Sequence, residues 1–494
     1  MFRKILIANR GEIALRVIRA CRELGIRAVA VYSDVDREAL HVRFADEAYY
    51  IGEAQPEKSY LNMERIIEVA RDCGADAIHP GYGFLAENHT FAAMCADEGI
   101  PFIGPPAETM ALVGDKIAAR KSAQKVGAPL IPGMLSSSKD KSDFEKFAEE
   151  IGYPVLVKAA MGGGGKGMRV VHTSDELAKA IEIGQREAQS AFGDGTVYIE
   201  KYIEEPRHVE IQILADKYGN VIHLFERECS IQRRYQKIVE ESPSPALDDE
   251  TRRRMGETAV RIAKAVGYQN AGTIEFLLDK NKNFYFLEVN ARIQVEHPVT
   301  ELVTGKDLVK AQILIASGEK LPWSQDEIEQ RGHAIEVRVY AEDPDSNFMP
   351  SPGLVQYVME PSGPGVRLDS GIYEGYTIPV HYDPIISKLI VWAEDRPSCI
   401  ERMKRALREY RIVGVKTILK LLRQIMEDER FVSGNFSTHF LKDFQMRQDK
   451  FPPSLIAAIA AISEEIAPKV RGVERKAEKP INMWKIIQRQ RALR

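Results

Sequence analysis

The chain has 494 residues, and its 68 lysines and arginines against 72 aspartates and glutamates give a formal charge of −4. So small a net charge argues against binding nucleic acid through the charge of the whole chain, and 44% hydrophobic residues are typical of a soluble globular protein. The longest apolar run, residues 455–462, is far shorter than the ~18–20 residues of a membrane span. Five scattered cysteines without CxxC spacing indicate reduced thiols and a cytoplasmic location.

The N-terminal residues 1–114 alternate between strand and helix patterns. The strand patterns lie at 4–8, 28–32, 76–81 and 101–104, and the helical patterns lie at 13–24, 62–72 and 88–98. Strands that alternate with helices predict a parallel, doubly wound α/β sheet. Such sheets bind ligands at the carboxyl ends of their strands.

The remaining chain is predicted to be α+β. Residues 115–330 contain three pairs of strand patterns that suit antiparallel hairpins, with helical stretches at 116–126, 142–150, 174–190 and 250–266. A third section, 331–446, opens with a strand pattern at its start and contains a helical stretch at 397–409. Residues 447–494 are predicted to form a helical and basic extension, either a solvated end or a docking tail for a partner protein.

A run of glycines, residues 161–168, lies between two strand patterns. Consecutive glycines let backbone N–H groups approach a phosphate without interference from a Cβ atom. The run is not a P-loop, because Met168 and Arg169 stand where Lys and Ser or Thr are needed. A flexible lid over a nucleotide is favoured over an inert turn, with Lys158 and, on weaker grounds, Lys116 placed to reach the same phosphates.

The segment 288–296 alternates between polar and apolar residues. In an extended chain this period of two would put five polar side chains on one face, namely Glu288, Asn290, Arg292, Gln294 and Glu296. The turn before residue 284 would bring Glu275 beside Glu288, and two carboxylates with an amide oxygen suit Mg²⁺. Arg292 could hold a small planar anion and Glu296 could act as a general base. The alternative is an amphipathic strand with a solvated face.

Other segments give weaker indications. The basic cluster at 232–237 and the mixed segment at 200–210 fit anion binding about as well as a solvated surface or a strand edge. Arg338 follows a strand pattern and by itself could be a surface arginine. No constellation of a nucleophile with a histidine base stands out, and His79 and His297 are interpreted as structural.

Taken together, these segments resemble the biotin carboxylases of the ATP-grasp superfamily over residues 1–446. The resemblance rests on strings that occur in the family's order: IANRGEIALRVIRACRELG, HPGYGFLAEN, GGGGKGMR, EKYIEEPRHVEIQ, SIQRRYQK, EFLL and EVNARIQVEHPVTE. It implies a pre-ATP-grasp α/β domain (1–114), an ATP-grasp domain (115–330) with a mobile lid at about 131–203, and a C-terminal biotin carboxylase domain (331–446).

The resemblance also implies roles for individual residues. The residues implied to bind ATP are Lys116, Lys158, Gly163, Gly164, Gly165, Lys166, Glu200, Lys201, Ile203, His208 and Gln232, with Glu200, Lys201 and Ile203 lining the adenine pocket. Those implied to hold Mg²⁺ or Mn²⁺ are Glu275, Glu288 and Asn290. Those implied to position bicarbonate are Lys237, Arg292, Gln294 and Val295. Glu296 would take the proton of bicarbonate, and Arg338 would stabilise the enolate-like ureido oxygen of biotin.

The implied reaction is the carboxylation of biotin at N1′ by ATP and bicarbonate through carboxyphosphate. The sequence has no Met-Lys-Met tripeptide of the kind that carries biotin in the family. We therefore expect biotin on a separate carrier protein and a separate carboxyltransferase subunit, with acetyl-CoA, another acyl-CoA or pyruvate as the final acceptor. The resemblance implies a homodimer, with Arg16, Arg19 and Glu23 on the contacting helix.

Two positions depart from the family pattern. Tyr235 stands where the family usually has histidine, which puts the contact of this position with the nucleotide in doubt because a phenol carries no positive charge. Ala291 replaces a residue that is often threonine, and we expect no large effect from it.

Three alternative functions are weighed against this one. Another ATP-grasp ligase, such as half of a carbamoyl-phosphate synthetase or a D-alanine ligase, would share ATP and Mg²⁺, but the RIQVEHPVTE string argues against it. A nicotinamide dehydrogenase would need three glycines in the first strand-to-helix turn, where this chain has one. A silent scaffold would not need the full set of predicted catalytic residues.

Overall fold

The computed structural model describes residues 1–134, 141–160 and 168–447. Residues Met1–Phe444 form one compact unit. The predicted loop residues Gly163, Gly164, Gly165 and Lys166 and the predicted extension beyond residue 447 lie outside the described residues. No helix in the described ranges has the length and apolar character needed to cross a membrane.

The N-terminal residues form a four-stranded parallel sheet in the order β3-β2-β1-β4. Its elements are β1 (Lys4–Ile7), α1 (Gly11–Glu23), β2 (Arg27–Ser33), α2 (Leu40–Phe44), β3 (Glu47–Gly52), α3 (Met63–Cys73), β4 (Ala77–His79), α4 (His89–Asp97) and α5 (Ala107–Gly114). The predicted doubly wound sheet is therefore confirmed. The predicted strand at 101–104 is wrong, because only Phe102 bridges Ile78, and β3 supplies the fourth strand instead.

The central residues form a small sheet and most of a large one. Their elements are α6 (Lys116–Lys125), α7 (Lys141–Ile151), β5 (Val155–Ala159), β6 (Arg169–Val171), α8 (Ser174–Phe192), β7 (Val197–Lys201), β8 (Arg207–Ala215), β9 (Val221–Arg233), β10 (Gln236–Ser242), α9 (Asp249–Ala265), β11 (Asn270–Leu278), β12 (Phe284–Asn290), α10 (His297–Thr304) and α11 (Leu308–Ala316). All three predicted hairpins are present, as β5–β6, β8–β9 and β11–β12.

The small sheet, in the order β6-β5-β7, has its own hydrophobic core. Val155 and Val157 of β5 and Ile199 of β7 are fully buried in it, and α7 and α8 contribute Phe144 and Leu177. A strand with valine at alternate positions buries one face against helices, which explains why this sheet is covered on that side.

The large sheet has eight strands in the order β12-β11-β8-β9-β10-β13-β20-β18. The strands β13 and later come from the C-terminal section, whose elements are β13 (His333–Tyr340), β14 (Glu342–Asp343), β15 (Met349–Pro350), β16 (Gly353–Leu354), β17 (Tyr357–Met359), β18 (Val366–Ser370), β19 (Thr377–Ile378), β20 (Ile385–Ala393), α12 (Arg396–Glu409), β21 (Arg411–Val413), α13 (Leu419–Glu427) and α14 (Glu429–Val432). Because β10 pairs with β13, one hydrogen-bonded sheet runs across the expected boundary at 330/331.

Candidate active site

Three glutamates form a row across neighbouring strands of the large sheet. The backbone register places Glu210 of β8 opposite Glu275 of β11, and Glu275 opposite Glu288 of β12. Residues directly opposite each other in an antiparallel pair point to the same face. The expected proximity of Glu275 and Glu288 is therefore confirmed, and Glu210 adds a third carboxylate that the sequence analysis did not single out.

The ammonium group of Lys237 lies among three carboxylates. Its Nζ atom is 2.7 Å from Glu210 Oε2, 2.9 Å from Glu275 Oε1 and 2.7 Å from Glu296 Oε1. Burial lowers the pKa of this lysine, but Cys229 and the three glutamates outweigh burial and raise the pKa well above its usual value. The lysine therefore remains a cation and joins the predicted metal-binding strand to the predicted base.

Glu296 is fully buried and lies between two cations. Lys237 donates to its Oε1 atom, and Arg338 NH2 donates to its Oε2 atom at 2.9 Å. Burial raises the pKa of Glu296, but Lys237, Arg338 and Arg227 outweigh it and hold the pKa well below the usual value. Glu296 is thus an ionised carboxylate in the neutral pH range, held in place by two cations.

The predicted strand over 288–296 is wrong in its extent. Strand β12 ends at Asn290, residues 291–296 are irregular, and Glu296 immediately precedes helix α10. Pro298 lies in the first turn of that helix, where no intrahelical hydrogen bond needs its missing N–H group. In a central strand, by contrast, proline could not donate a hydrogen bond to the neighbouring strand. Polar groups still converge here, but through a turn in the chain rather than through the alternation of a strand.

The guanidinium group of Arg292 is held by three side chains. Its Nε donates to Glu87 Oε2 at 2.9 Å, NH1 donates to Gln294 Oε1 at 2.6 Å, and NH2 donates to Asn290 Oδ1 at 3.3 Å. Glu87 also accepts from the backbone N–H of Ala291 at 3.0 Å. The predicted anion-binding arginine is therefore oriented by a carboxylate from the N-terminal section.

A second group of predicted residues surrounds Glu200. Its carboxylate is 2.5 Å from Arg120 NH1 and 3.0 Å from Lys158 Nζ, and all three side chains are buried. Burial raises the pKa of Glu200, but Lys158 and Arg120 outweigh it and lower the pKa, while burial lowers the pKa of Lys158. The carboxylate of Glu200 therefore holds Lys158, and Lys116 lies 3.6 Å from Glu288 Oε2 between this group and the glutamate row.

The other predicted nucleotide residues occupy different surroundings. His208 Nε2 is 2.8 Å from Glu275 and His208 Nδ1 is 2.7 Å from Gln232, so these two belong to the glutamate row. Lys201 donates instead to the backbone carbonyls of Gly152 and Tyr153. Ile203 is half-buried.

The donors in the glutamate row fit a divalent metal ion. His208, Glu210 and Glu275 offer ligand atoms that all lie within 4.8 Å of one another. Glu288 and Asn290 supply further oxygens on the adjacent strand, and the buried Asn290 Nδ2 atom has no partner in the described part of the chain. Carboxylate and amide oxygens are the ligands that Mg²⁺ and Mn²⁺ prefer. His208 contacts one oxygen of Glu275 and Lys237 contacts the other, so a metal ion bound there would compete with both for the carboxylate.

Comparisons with known protein families match three consecutive parts of the chain. Residues 1–110 match the model "Biotin carboxylase, N-terminal domain", residues 115–324 match "Carbamoyl-phosphate synthase L chain, ATP binding domain", and residues 336–443 match "Biotin carboxylase C-terminal domain". Similar curated proteins include a pyruvate carboxylase subunit of Methanothermobacter thermautotrophicus, 56% identical over 90% of each chain. The biotin carboxylase of a Nostoc species is 56% identical over 90% of this chain and 99% of its own.

This chain belongs to the biotin carboxylase family. The biotin carboxylase of Campylobacter jejuni, solved as a complex with β,γ-ATP, matches with a TM-score of 0.88 and 49% identity over 90% of this chain and 99% of the other. The biotin carboxylase domain dimer of Hydrogenobacter thermophilus 2-oxoglutarate carboxylase, solved with MgADP, ADP and bicarbonate, matches with a TM-score of 0.87 and 51% identity over 90% and 98%.

Membership in the biotin carboxylase family makes this chain an ATP-dependent ligase that carboxylates biotin. The expected resemblance and the expected activity are thereby confirmed, and a dehydrogenase is excluded. The ATP-binding model carries the name of carbamoyl-phosphate synthase, but biotin carboxylase models match on both sides of it. The chain is therefore not half of such a synthase.

Sequence reasoning missed several charged residues of the biotin carboxylase site. Glu87, Glu210 and Arg227 each contact a predicted residue or its partner, and Glu240 accepts from Arg338 Nε at 2.6 Å. The position of Glu210 in a strand pattern was visible in the sequence. Its place in the glutamate row, however, depends on the pairing of β8 with β11, and the two strands are separated by two others and a helix.

Proposed function

We propose that this site carboxylates biotin at N1′ with ATP and bicarbonate, while biotin is presented on a separate carrier protein. The observation that supports it best is the shared ammonium of Lys237, which joins a carboxylate suited to a metal, Glu275, to the base candidate Glu296. A site that must bring a metal-bound phosphate next to bicarbonate needs these two functions side by side.

On the nucleotide side, Lys116 and Lys158 would neutralise phosphate oxygens of ATP. Glu275, Glu288 and Asn290 would hold Mg²⁺ or Mn²⁺, which when bound draws charge from the β- and γ-phosphates. Glu200 keeps Lys158 in place through a 3.0 Å contact. The loop Gly163–Lys166, together with Lys201, Ile203, His208 and Gln232, completes the proposed nucleotide site.

On the carbonate side, Lys237, Arg292, Gln294 and Val295 would orient bicarbonate. Glu296 takes its proton, the resulting oxygen attacks the γ-phosphorus, and ADP leaves with the bonding electron pair, which yields carboxyphosphate. Carboxyphosphate breaks down into CO₂ and phosphate. The phosphate then accepts the N1′ proton of biotin, N1′ forms its new bond to CO₂, and Arg338 offsets the negative charge on the ureido oxygen.

We further propose the expected organisation around this site. The chain would comprise three domains, 1–114, 115–330 and 331–446, and the second would contain a lid at about 131–203. A homodimer is supported by the similar domain dimer of the Hydrogenobacter thermophilus enzyme. Five buried free cysteines fit a reducing cytoplasm.

The final acceptor would be selected by a partner carboxyltransferase rather than by this chain. Relatives about 50% identical over the same region carry names that refer to pyruvate, methylcrotonoyl-CoA and 2-oxoglutarate. A shared first half-reaction with different acceptors would leave the selection of the acceptor to the carboxyltransferase. Biotin would reach the site on a carrier protein or biotinylated subunit.

The test is ADP release by the purified chain with Mg·ATP and bicarbonate, with and without free biotin. We expect strong stimulation by biotin, with label from ¹⁴C-bicarbonate recovered in carboxybiotin. ADP release that ignores biotin and responds to ammonia or an amino acid would instead indicate a different ATP-grasp ligase.

A further inference from the structure

A fully buried lysine, Lys388, lies in β20 and contacts the segment that leads to Glu296. Lys388 has no exposed surface, and the register places it opposite Arg338 of β13. The two cations therefore point to the same face of the sheet, the face covered by α10. A buried ammonium group lowers the stability of the fold unless hydrogen bonds and counter-charges compensate it. The contacts of Lys388 therefore indicate its role.

The shortest contact of this lysine goes to the catalytic segment. Lys388 Nζ donates to the backbone carbonyl of Val295 at 2.7 Å. The nearest carboxylates lie farther away, at 3.5 Å for Glu12 and 3.9 Å for Asp369. These two distances are those of ion pairs but exceed the usual length of a hydrogen bond. Burial raises the pKa of Glu12 to about 7, whereas at Asp369 burial is outweighed by Arg367 and Lys388, which lower the pKa to about 2. Asp369 is therefore the main counter-charge of Lys388, while the directed bond of Lys388 fixes Val295.

Lys388 and Arg338 hold two consecutive residues. Arg338 NH2 donates to the side chain of Glu296, and Lys388 donates to the peptide that joins Val295 to Glu296. Strand β12 has already ended at Asn290, so residues 291–296 follow no ladder of the sheet. Its conformation depends instead on local contacts, such as that of Arg292 with Gln294, and on contacts from other parts of the chain, such as that of Lys388.

We propose that Lys388 is a positioning residue for the carbonate half of the reaction. Its bond to the Val295 carbonyl sets the orientation of the peptide between Val295 and Glu296, and hence where the backbone of Val295 and the carboxylate of Glu296 meet bicarbonate. This inference rests on the function proposed above. The competing interpretation is a purely structural counter-ion for Glu12 and Asp369.

The test compares four variants by steady-state ADP release with Mg·ATP, bicarbonate and biotin, together with thermal unfolding. For Lys388→Met we expect the KM for bicarbonate to rise roughly tenfold, the size of a lost hydrogen bond from a charged donor, and the KM for Mg·ATP to stay within about twofold. Lys388→Gln, one bond shorter than lysine, should show the same selective defect and serves if the methionine variant does not fold.

Two matched variants separate positioning from stability. Glu12→Gln replaces the nearest carboxyl group but leaves the bond to Val295, and Ile390→Val trims a buried neighbour on the same strand. We expect both to lower the unfolding temperature and to leave the KM for bicarbonate within about twofold. A bicarbonate defect in Glu12→Gln equal to that in Lys388→Met would assign Lys388 to charge balance and overturn the proposal.

The wild-type chain distinguishes failure of the function from failure of the positioning role. If wild type shows no bicarbonate-dependent ADP release, the proposed function itself fails. If wild type shows it and neither Lys388 variant changes the KM for bicarbonate relative to that for Mg·ATP, only the role of Lys388 is refuted.

Discussion

Glu296 is the residue whose surroundings most constrain the chemistry. It is ionised, fully buried and held by Lys237 and Arg338. We expect Glu296→Gln to lower bicarbonate-dependent ADP release by about 100-fold or more, because the amide cannot accept the proton of bicarbonate. The measurement is ADP release at saturating Mg·ATP and biotin.

The control for Glu296→Gln is Glu342→Gln. Glu342 is also buried and pairs with an arginine, Arg233, at 2.6 Å, but it contacts none of the residues proposed to bind substrate. The Glu342→Gln variant should be less stable than wild type but keep its rate of ADP release. Undiminished turnover in Glu296→Gln would rule out its role as the base.

Glu200 presents a different case, because its carboxylate neutralises two buried cations. Glu200→Gln should destabilise the fold by about 3–5 kcal/mol and raise the KM for ATP, since it leaves Arg120 and Lys158 facing each other. Thermal unfolding and ATP-dependent kinetics measure the two effects.

The matched control is Glu187→Gln, which removes an exposed pair with Arg169 in the same region. The resulting loss in the free energy of unfolding should stay below about 1 kcal/mol. A Glu200 variant as stable as this control would show that the buried pair is not needed to hold Lys158.

At the scale of elements, local patterns were predicted well and the distant pairings were not. The β11–β12 hairpin follows from its polar turn, and α6, α8 and α9 follow from their periodicity. The predicted strand through residue 296 was wrong because the alternation of polar and apolar residues does not reveal that β12 ends at Asn290 and that α10 begins at His297. The alignment of Glu210 with Glu275, and of Arg338 with Lys388, depends on pairings between strands far apart in sequence, which no local pattern specifies.

Asp369 of β18 pairs with Arg367 of the same strand and lies 3.9 Å from Lys388 of β20, and these contacts make the fold sensitive to acid. Burial raises the pKa of Asp369, but Arg367 and Lys388 outweigh it and lower the pKa to about 2. A carboxylate whose pKa is lower in the folded chain than in the unfolded chain stabilises the fold fully at pH values above its unfolded pKa. This contribution is lost as the pH falls toward the folded pKa. Protonation of Asp369 between about pH 4 and pH 2 should therefore lower the free energy of unfolding by about 2 kcal/mol.

We therefore expect Asp369→Asn to be less stable than wild type at pH 6 but to lose less stability on acidification. Unfolding temperatures at pH 6 and pH 3 provide the comparison. Asp249→Asn, at a fully exposed position of α9, is the control and should follow wild type. An equal drop for Asp369→Asn and wild type would contradict the assignment of this acid sensitivity to Asp369.

At the scale of the whole molecule, the large sheet carries the site across the working boundary at 330/331. Glu275, Lys237 and Arg338 stand on β11, β10 and β13 of one sheet, and the last of these strands comes from the C-terminal section. The strands and helices of each section could largely be predicted from their patterns. Their joining into one sheet could not, because it requires the edge of β10 to accept β13.

The proposed homodimer can be tested on α1. Arg16 is buried and bound within the chain by Glu301 and Asp307. Arg19 and Glu23 also have ion-pair partners in this chain, but their side chains are 47% and 63% exposed. Reversing an exposed interfacial charge places like charges together, so we expect Arg19→Glu to weaken dimerisation at least about tenfold in sedimentation equilibrium.

The control for this helix is Arg71→Glu, on the exposed surface of α3, which should leave the dimer intact. Arg16→Glu should lower the unfolding temperature instead, since it places a third carboxylate beside Glu301 and Asp307. A dimer unaffected by Arg19→Glu would exclude this face as the contact.

The three carboxylates around Lys237 have one more consequence, which concerns the order in which substrates arrive. A divalent ion bound at Glu275 would compete with Lys237 and His208 for its carboxylate, and an ammonium group held less tightly there is more available to an anion. Bicarbonate arriving alone would meet a cation already surrounded by negative charge. We therefore expect a metal nucleotide bound at Glu275 to strengthen the binding of bicarbonate near Lys237, because it would draw negative charge away from that ammonium group.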